Sequence, residues 1–513
     1  MAAFAVAALS LLSLWRCSVH GAVTGVRDGP WSVLLKRQSF PLHSSGGVVE
    51  HKSAYYGEIF AGGPQFQSFN VVFDTGSGHL VLPSTICRSK TCLAHNRYKR
   101  RTSLLADDID VDGSIVKQGE MRDQITVAFG TGEITGVFVR DRVCLGTPSF
   151  ADMLRSPQVE TAPGASLLQV GRASRQNATA EISESTPSQT PSSSMLDISE
   201  MDLAALTAAA SGQIPKAGPA LNALRVNAQA AFRRKQGDGC VDLHMIAATE
   251  MSQDPFSSFQ FDGVLGLGLD GLSQTSAFNF LESAAAAGAW TPMPDAEQTF
   301  AVFLAISDSE QSQITFGGWD VSRLPDGETF SWNHVREASL GYWQLDVLSI
   351  TANGKKLDFC RIGGCRAIVD TGSSLLGVPS VLGRALVKTL RHSANDDGFC
   401  DGILPKLEID LGNFTVVLDP IDYARPEIGN RELQRAADKA PAVARNGGPV
   451  ATNGTCIPML MHMDLPEPLG PKTIILGEPV LQKYYTAFDA GAKRIGFVLA
   501  RRDGVKRPVT AFA

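Results

Sequence analysis

The chain lacks the residue patterns that most metal, nucleotide and nucleic-acid sites require. Its nine histidines form no His-x-x-x-His or glutamate-assisted cluster of the kind that binds catalytic zinc. The net charge is only −6, and no basic stripe with interleaved aromatic residues occurs, so a nucleic-acid partner is not expected. A Gly-x-Ser-x-Gly nucleophile elbow is missing as well. We therefore expect neither a metal ion nor another cofactor.

Long apolar runs are also missing after the N-terminus, so no stable membrane insertion is expected. Residues 1–15 are largely apolar and small residues follow them, which predicts a signal peptide over residues 1–21 with cleavage near Gly21. A membrane anchor is the alternative, but the run has the length of a signal-peptide core. The predicted location is the secretory pathway, either outside the cell or in an acidic vacuolar or lysosomal lumen.

Cysteine is scarce, and its number fits an oxidising compartment. One of the nine cysteines, Cys17, lies in the signal segment. The others form an even set that predicts four disulfides, with the pairing left open by the sequence: Cys87, Cys92, Cys144, Cys240, Cys360, Cys365, Cys400 and Cys456. A zinc site is the alternative, but no patterned histidine accompanies the close pairs. Asn-X-Ser/Thr triplets at Asn177, Asn413 and Asn453 are compatible with a lumenal route.

What the chain does contain is one short stretch that occurs twice. Residues 74–83 and 370–379 align without a gap and share Asp-Thr-Gly-Ser at their start and proline at their end. Each copy follows a short apolar run, which places Asp74 and Asp370 where a buried strand ends in a tight turn. A repeat this far apart in the chain indicates two related lobes, each presenting one carboxylate.

Changes in composition divide the rest of the chain. Alternating apolar runs predict β-structure in an N-terminal lobe, residues 51–307, and a C-terminal lobe, residues 308–501. Residues 151–238 are rich in alanine, serine, threonine and glutamine and form a low-complexity insertion. A disulfide between Cys144 and Cys240 could close its base. Residues 425–452 are predicted to be a smaller loop insertion and residues 502–513 a polar tail.

The segment between the signal peptide and the first lobe has two interpretations. Residues 22–50 contain apolar residues and the basic pair Lys36 and Arg37. As a propeptide, the segment would bring one of these cations to the two carboxylates and neutralise them before activation. As part of the mature fold, residues 31–39 would form an edge strand. We predict the propeptide and keep the edge strand as the alternative.

The duplicated stretch has the composition that a proton-sharing pair of carboxylates needs. Two facing carboxylates cannot both ionise easily, so one keeps a proton. The charged one can take a proton from a water that attacks a peptide carbonyl, while the other donates to the carbonyl oxygen. Glycines permit the tight turns, threonines can lock the loops together and serines can donate to the outer carboxylate oxygens. The predicted support residues are Thr75, Gly76, Ser77, Thr371, Gly372 and Ser373.

Two further features near this stretch have simpler interpretations. Residues 266–271 fit the dinucleotide pattern Gly-x-Gly-x-x-Gly, but a dinucleotide site needs a helix that opens there within a βαβ unit. The surrounding sequence is dense in strand patterns, so we interpret these residues as packing glycines. His79, beside the first aspartate, is predicted to be an orientation or surface residue rather than a base.

From residue 55 to residue 500 the chain resembles the pepsin-like aspartic proteases. The shared marks occur in family order in both lobes: Phe-Asp-Thr-Gly-Ser at 73–77, Phe-Gly-Thr-Gly at 129–132, Phe-Asp-Gly-Val-Leu-Gly at 261–266, Gly-Tyr-Trp-Gln at 341–344, Val-Asp-Thr-Gly-Ser at 369–373, Ile-Leu-Gly-Glu at 475–478 and Tyr-Tyr-Thr-Ala-Phe-Asp at 484–489. The resemblance implies a mostly β, bilobal pepsin-like acid protease fold with pseudo-twofold symmetry and an interlobe active-site cleft.

The resemblance also implies an activity and a set of residues that carry it. The catalytic residues are expected to be Asp74 and Asp370. The expected enzyme is a monomer that cuts polypeptide substrates beside bulky apolar residues at acidic pH. Residues 264–266 and 475–477 are expected to cradle the aspartate loops. Three disulfides follow from the family: Cys87–Cys92, Cys360–Cys365 and Cys400–Cys456.

The sequence departs from the family at the flap, a β-hairpin that covers the cleft. The family's tyrosine before Gly-Thr-Gly is Phe129 here, and its tryptophan partner falls at Val81. Replacing both halves of a polar pair leaves neither partner unpaired. We therefore expect an active enzyme with altered flap mobility and altered packing on the S1 side, where Phe129, Gly130, Thr131 and Val81 bind substrate. A catalytically impaired fold that binds peptides or proteins is the alternative; a two-carboxylate glycosidase would not show mirrored Asp-Thr-Gly loops.

Overall fold

β-Strands make up most of the secondary structure, which confirms the mostly β fold predicted from the sequence. The computed structural model describes residues 29–43, 49–117, 119–130, 132–146, 238–254, 256–307, 309–395, 399–426 and 454–502. In chain order the strands are β1 (Trp31–His43), β2 (Val49–Gly62), β3 (Phe66–Asp74), β4 (Leu80–Pro83), β5 (Asp107–Asp108), β6 (Gln124–Phe129), β7 (Gly132–Cys144), β8 (Cys240–Met251), β9 (Gly263–Gly266), β10 (Thr299–Phe303), β11 (Ser312–Phe316), β12 (Ser331–His334), β13 (Gln344–Val347), β14 (Ser349–Ala352), β15 (Lys355–Leu357), β16 (Cys365–Val369), β17 (Leu376–Val378), β18 (His392–Ser393), β19 (Leu407–Asp410), β20 (Thr415–Leu418), β21 (Ala424–Pro426), β22 (Thr455–Pro458), β23 (Leu460–His462), β24 (Thr473–Leu476), β25 (Tyr484–Asp489) and β26 (Arg494–Leu499). Among the described residues, α-helices occur at Lys90–Ala94, Phe280–Ala287, Ser380–Leu390, Pro420–Tyr423 and Glu478–Lys483.

One large sheet runs through both halves of the molecule. Its strand order is β12-β26-β25-β10-β11-β1-β2-β3-β9-β4-β8-β7-β5, and β6 pairs with β7 outside that path. Three smaller sheets have the orders β13-β16-β24-β17-β23, β15-β14-β19-β20 and β18-β22-β21. The large sheet therefore joins strands from before residue 307 to strands near the C-terminus, and the two halves share one backbone hydrogen-bond network.

The two halves repeat the same arrangement of strands around each aspartate. β3 ends at Asp74 and lies parallel to β9, and β4 runs antiparallel to β9. In the other half β16 ends one residue before Asp370 and lies parallel to β24, and β17 runs antiparallel to β24. This equivalence gives the bilobal fold its pseudo-twofold symmetry. It also places each aspartate at the end of a strand that has neighbours on both sides.

The apolar core continues across the boundary between the halves. Trp343 is fully buried and packs against Phe300 and Phe488, with ring centroids 6.0 and 5.2 Å away. Its indole N–H donates to the carbonyl oxygen of Leu267 at 2.8 Å. Truncating so large a buried side chain to alanine typically costs about 3–5 kcal/mol. The indole therefore contributes substantially to holding the two halves together.

Strand β1, which lies in the segment predicted to be a propeptide, bridges the two halves. Residues 31–35 pair antiparallel with β11, and residues 36–43 pair antiparallel with β2. Nη2 of Arg37 lies 3.4 Å from Oε1 of Glu478, and within the described residues Arg37 makes no ion pair with Asp74 or Asp370. Lys36 is exposed. In this structure the cation of the segment is therefore held by Glu478 and does not neutralise the aspartates. Removal of the segment stays a prediction. The strand of the alternative interpretation is present, but it lies between β11 and β2 and not at an edge of the sheet.

The structure contains four disulfides, and they use the pairs that were expected: Cys87–Cys92, Cys144–Cys240, Cys360–Cys365 and Cys400–Cys456. Cys144 and Cys240 are opposite each other in the β7–β8 ladder. Beside them, Nη2 of Arg142 lies 2.6 Å from Oδ2 of Asp238. A covalent bond and a largely buried ion pair thus close the base of the predicted insertion.

Several predicted segments lie outside the described residues. They are the signal peptide, residues 151–237 of the insertion, residues 427–452 of the smaller loop insertion, residues 503–513 of the tail, and Asn177 and Asn453. Asn413 is described and exposed. The lobe boundaries and these assignments stay predictions. None of the described helices is long and apolar enough to cross a membrane.

Candidate active site

Asp74 and Asp370 meet where the two central strands end. The backbone of each aspartate is tied to a neighbouring segment: the Leu267 N–H donates to the Asp74 carbonyl oxygen at 2.7 Å, and the Asp370 N–H donates to the Leu476 carbonyl oxygen at 3.1 Å. Both aspartates are partly exposed, as a site that admits substrate requires. The structure therefore brings together the two carboxylates of the duplicated stretch.

Glycines allow the two loops to approach each other this closely. A Cβ atom placed on Gly372 would lie 2.5 Å from Oδ1 of Asp74, and one placed on Gly76 would lie 3.1 Å from Oδ1 of Asp370. Each glycine therefore packs against the carboxylate of the opposite loop, where any larger residue would push the pair apart. This contact gives a physical reason for glycine at the third position of both copies.

Gly266 and Gly268, from the pattern that resembles a dinucleotide site, also allow close packing, in this case against the Asp74 loop. A Cβ on Gly266 would lie 2.4 Å from the backbone nitrogen of His79, and one on Gly268 would lie 2.8 Å from the carbonyl oxygen of Ser77. Gly266 ends a strand of the sheet and no α-helix opens there. The interpretation as packing glycines is confirmed.

The two threonines that follow the aspartates exchange hydrogen bonds across the interface. The Thr75 N–H donates to Oγ1 of Thr371, and the Thr371 N–H donates to Oγ1 of Thr75, both at 3.0 Å. Each hydroxyl then donates to a carbonyl oxygen in the opposite strand: Thr75 to Val369 at 2.9 Å and Thr371 to Phe73 at 2.6 Å. The loops are therefore joined by four hydrogen bonds that obey the twofold symmetry of the fold.

The two carboxylates differ in the hydrogen bonds that they accept. Oδ1 of each aspartate accepts the backbone N–H two residues along the chain at 2.9 Å. Oδ2 of Asp370 also accepts the Ser373 hydroxyl at 2.6 Å. The Ser77 hydroxyl is buried and makes no hydrogen bond of ordinary geometry within the described residues, although it is close enough to Asp74 to favour the charged form. Donors stabilise a carboxylate, so the geometry favours negative charge on Asp370.

Burial raises the pKa of Asp74 above its ordinary value, and the neighbouring Asp370 raises it further. Burial, followed by the same two carboxylates, also raises the pKa of the Tyr342 phenol. The charge of the pair therefore acts on the Tyr342 phenol. The sequence marked Gly-Tyr-Trp-Gln as a shared motif but gave no role to its tyrosine. That motif was the signal from which Tyr342 could have been found.

The residues that depart from the family at the flap both face apolar surroundings. Phe129 is the last residue of β6 and is half-buried, with its ring nearly perpendicular to Phe256 at 6.3 Å. Val81 in β4 is 1% exposed, and Phe129 packs against the apolar cluster to which Val81 belongs. Gly130 turns the hairpin with a φ of 57°. Thr131 lies outside the described residues.

His79 is buried rather than on the surface, so of its two predicted roles only orientation fits. Its Nε2 accepts the backbone N–H of Gln274 at 3.2 Å, and its ring packs edge-on against Phe278 at 5.6 Å. His244 contacts the same phenylalanine, 5.1 Å away. Burial lowers the pKa of each histidine to about 4; Arg140 adds to the effect at His244.

Two facing aspartates on the ends of related strands, joined by crossed threonine hydrogen bonds, define an aspartic-type peptidase. Within the described ranges, no group of histidine, cysteine, aspartate or glutamate side chains is arranged to hold a metal ion. The model of the eukaryotic aspartyl protease family matches residues 54–153 and 239–500, which is more than half of the chain. The chain belongs to this family.

Several characterised proteins are similar to the chain over most of its length. Plasmepsin VI of Plasmodium berghei is 26% identical over 464 residues, which is 88% of this chain and 76% of that protein. Gastricsin of Cavia porcellus is 26% identical over 481 residues, or 92% and 84% of the two chains. Vacuolar protease A of Neurospora crassa is 25% identical over 458 residues, or 87% and 79%.

We predict that Thr371→Val destabilises the protein by about 2 kcal/mol, because the Thr75 N–H and the Phe73 carbonyl oxygen lose the hydroxyl that they bond to. Urea unfolding measures this loss. Thr371→Ser keeps the hydroxyl and is the matched control, with a loss of less than about 1 kcal/mol expected. Equal losses in the two variants would contradict the role assigned to the hydroxyl.

We predict that His79→Asn reduces the loss of stability on acidification. The pKa of folded His79 is lowered to about 4, so between about pH 6.5 and pH 4 the unfolded state binds the proton and the folded state does not. The contribution of neutral His79 is present above this window and is lost as the pH falls through it. The Tm difference between pH 6.5 and pH 4 should therefore be smaller in the variant, and an unchanged difference would refute the assignment.

Proposed function

We propose that the chain is an endopeptidase that hydrolyses peptide bonds in polypeptides with a water activated by Asp74 and Asp370. The observation that carries the proposal is the meeting of the two carboxylates across loops joined by Thr75 and Thr371. Such a pair can hold one proton between two groups, which is the state that supplies both a base and an acid. The family and its peptidase relatives support the same reaction.

The contacts of the two carboxylates support an assignment of roles. Asp74 retains the shared proton, since burial and its neighbour raise its pKa. Asp370 is the charged partner, since its carboxylate accepts two hydrogen bonds. Asp370 takes a proton from water while the oxygen attacks the carbonyl carbon, and Asp74 gives its proton to the carbonyl oxygen. The diol that forms is then cleaved: Asp370 gives the proton that it took from water to the amide nitrogen, the C–N bond breaks, and a diol hydroxyl returns a proton to Asp74. The products are a carboxylic acid and an amine, and no covalent enzyme intermediate forms.

Substrate preference and pH range follow from the surroundings of the pair. The apolar cluster of Val81 and Phe256, against which Phe129 packs, supports binding of bulky apolar side chains on the flap side of the cleft. The reaction needs one proton on the pair, so acidic conditions favour it. We also propose Gly130 and Thr131 as flap residues that bind substrate.

The location and the processing of the chain are part of the proposal. Four disulfides require an oxidising route, and one relative is named as a vacuolar protease. We propose a monomeric enzyme that enters the secretory pathway by a signal peptide over residues 1–21. It would act outside the cell or in an acidic vacuolar or lysosomal lumen after loss of residues 22–50.

A binding module with impaired catalysis is the second candidate. It is favoured by the Ser77 hydroxyl, which lacks the hydrogen bond that its counterpart Ser373 makes, and by the apolar Phe129 and Val81. Such a protein would bind apolar peptides without cutting them. Both aspartates and the crossed threonine bonds are intact, which favours the enzyme.

The catalytic proposal predicts that the purified mature protein cleaves an unfolded protein at acidic pH and that pepstatin blocks the cleavage. Asp74→Asn should lower kcat by about 10³-fold or more. An asparagine cannot hold the proton that Asp74 donates to the carbonyl oxygen of the substrate. Asp358→Asn, at a carboxylate that is 88% exposed, is the matched control with unchanged kcat. Retained cleavage in the Asp74 variant would refute the mechanism, and pepstatin binding without cleavage in the wild type would favour the binding module.

The apolar flap predicts that Phe129→Tyr changes activity by less than about twofold. The new hydroxyl has no tryptophan partner at position 81, where Val81 is buried, so restoring one half of a polar pair restores no hydrogen bond. Cleavage rates of a peptide with apolar residues on both sides of the cut measure the effect. A large gain in kcat would show that the missing hydroxyl limits the enzyme.

A further inference from the structure

A second polar network joins the Asp370 loop to strand β2 from behind. The Ser374 hydroxyl donates to the Ser53 carbonyl oxygen at 2.5 Å and accepts the Ser53 N–H at 3.2 Å. Ser374 directly follows Ser373, whose hydroxyl donates to the carboxylate of Asp370. The backbone of Ser53 therefore forms two hydrogen bonds with Ser374 in the Asp370 loop. Ser374 is the neighbour of Ser373, which contacts the Asp370 carboxylate.

Glu478 contacts Ser53 and also the backbone of Ser373, the residue next to Ser374. Its Oε2 accepts the Ser53 hydroxyl, and its Oε1 accepts the Gln482 side-chain amide and, at 3.4 Å, Nη2 of Arg37. The Tyr55 hydroxyl lies 3.3 Å from the same oxygen but donates to the Ala305 carbonyl oxygen at 2.8 Å. The Glu478 backbone N–H donates to the Ser373 carbonyl oxygen at 2.8 Å. Glu478 thus contacts the catalytic loop directly through its backbone and indirectly through its carboxylate and Ser53.

Glu478 is a buried side chain that hydrogen bonds hold in place, and not a surface contact. Ser53, Tyr55 and Glu478 are 9%, 5% and 7% exposed. A buried carboxylate is costly unless hydrogen bonds and a cation surround it. Here the Ser53 hydroxyl and the Gln482 amide donate to it, and the Arg37 guanidinium lies beside it for as long as residues 22–50 are retained. If the carboxylate is removed, the buried Ser53 hydroxyl loses the partner that it has among the described residues, so the position of Ser53 depends on Glu478.

The same network is connected to the other aspartate through β2. Tyr56 and Gly57, just beyond Ser53 in this strand, pair with Val72 and Val71 of β3, which ends at Asp74. One strand therefore binds the loop of Asp370 through Ser53 and lies beside the strand that carries the partner carboxylate. A shift of Ser53 would change the position of one aspartate relative to the other.

We propose that Glu478 is a positioning residue for peptide hydrolysis. Through Ser53 and Ser374 it fixes the Asp370 loop relative to β2 and so to Asp74. The inference rests on the proposed function, since it concerns the geometry of the same pair. Thr75 and Thr371 hold the loops where they touch, and the Glu478 network holds the C-terminal loop on its far side. Displacements of about 1 Å in such sites are enough to lower rates by about 10²-fold.

Three variants test the proposal with a fluorogenic apolar peptide at acidic pH, at a temperature well below the Tm of each protein. Glu478→Met keeps the side-chain volume but accepts no hydrogen bond, and Ser374→Ala removes the contact to Ser53. Each should lower kcat by about tenfold and change KM by less than about twofold, since the substrate contacts are untouched. The double variant should be no slower than the slower single variant, because both substitutions break the same connection, from Glu478 through Ser53 to Ser374.

Glu310 offers a matched control. It is also a buried glutamate, with a side chain that is 5% exposed and that lies 2.5 Å from Arg502 and 3.6 Å from Arg323. Glu310→Met should lower the Tm but leave kcat unchanged, because within the described residues Glu310 contacts neither catalytic loop directly. It reaches Glu478 only through Arg502, which donates to the backbone of Gln482, and then through the Gln482 side chain. A purely structural role would lower the Tm alone in both glutamate variants.

Specific results would overturn the inference. The inference is wrong if Glu478→Met keeps the wild-type kcat, or if the losses of the two single variants add in the double variant. It is also wrong if Glu310→Met loses as much kcat as Glu478→Met. If Glu478→Met does not fold, Ser374→Ala decides alone, and an unchanged kcat refutes the proposal. Failure of the proposed function itself looks different, because the wild-type protein would then not cleave the peptide at all.

Discussion

The crossed hydrogen bonds of Thr75 and Thr371 are the contact on which the active site depends. Two residues 296 positions apart exchange these bonds, and each also bonds to the strand that leads into the opposite aspartate. Two carboxylates share a proton only while they stay close, although like charges favour separation. Neutral threonine bonds can maintain that distance without adding a charge that would neutralise either carboxylate. The pKa values of the two aspartates can therefore change with their surroundings while the distance between them stays the same.

The symmetry of the scaffold does not extend to the groups around it. Strands, glycines and threonines repeat in both halves, whereas the outer contacts differ. The Asp370 loop is held by Ser374, Ser53 and Glu478. The Asp74 loop is held instead by Ser273, whose hydroxyl donates to the Gly78 carbonyl oxygen at 2.8 Å. A symmetric frame brings equal groups together, and unequal surroundings then allow one group to act as acid and the other as base.

The sequence could predict those features of the fold and the site that depend on short local patterns of residues. The duplicated Asp-Thr-Gly, the strand patterns and the even set of cysteines indicated the aspartates, the β-fold and the disulfides. The sequence could not predict contacts between distant segments, such as that of Glu478 with Ser53, because each residue alone has many possible partners. Ser77 shows a further limit. It matches Ser373 in residue type, but local packing and not residue type selects the rotamer, and only Ser373 makes a hydrogen bond of ordinary geometry with its carboxylate.

The closed base of the insertion has a consequence for how the fold tolerates added sequence. Cys144 and Cys240 are 96 positions apart, and their Cα atoms lie 4.0 Å from each other. Loop closure has an entropic cost that grows with the logarithm of loop length, but the disulfide also closes this loop in the unfolded chain. The length dependence then cancels between the two states. The protease fold is therefore thermodynamically insensitive to the size of what lies between the two cysteines, and this part of the gene is free to lengthen or shorten independently of the enzyme.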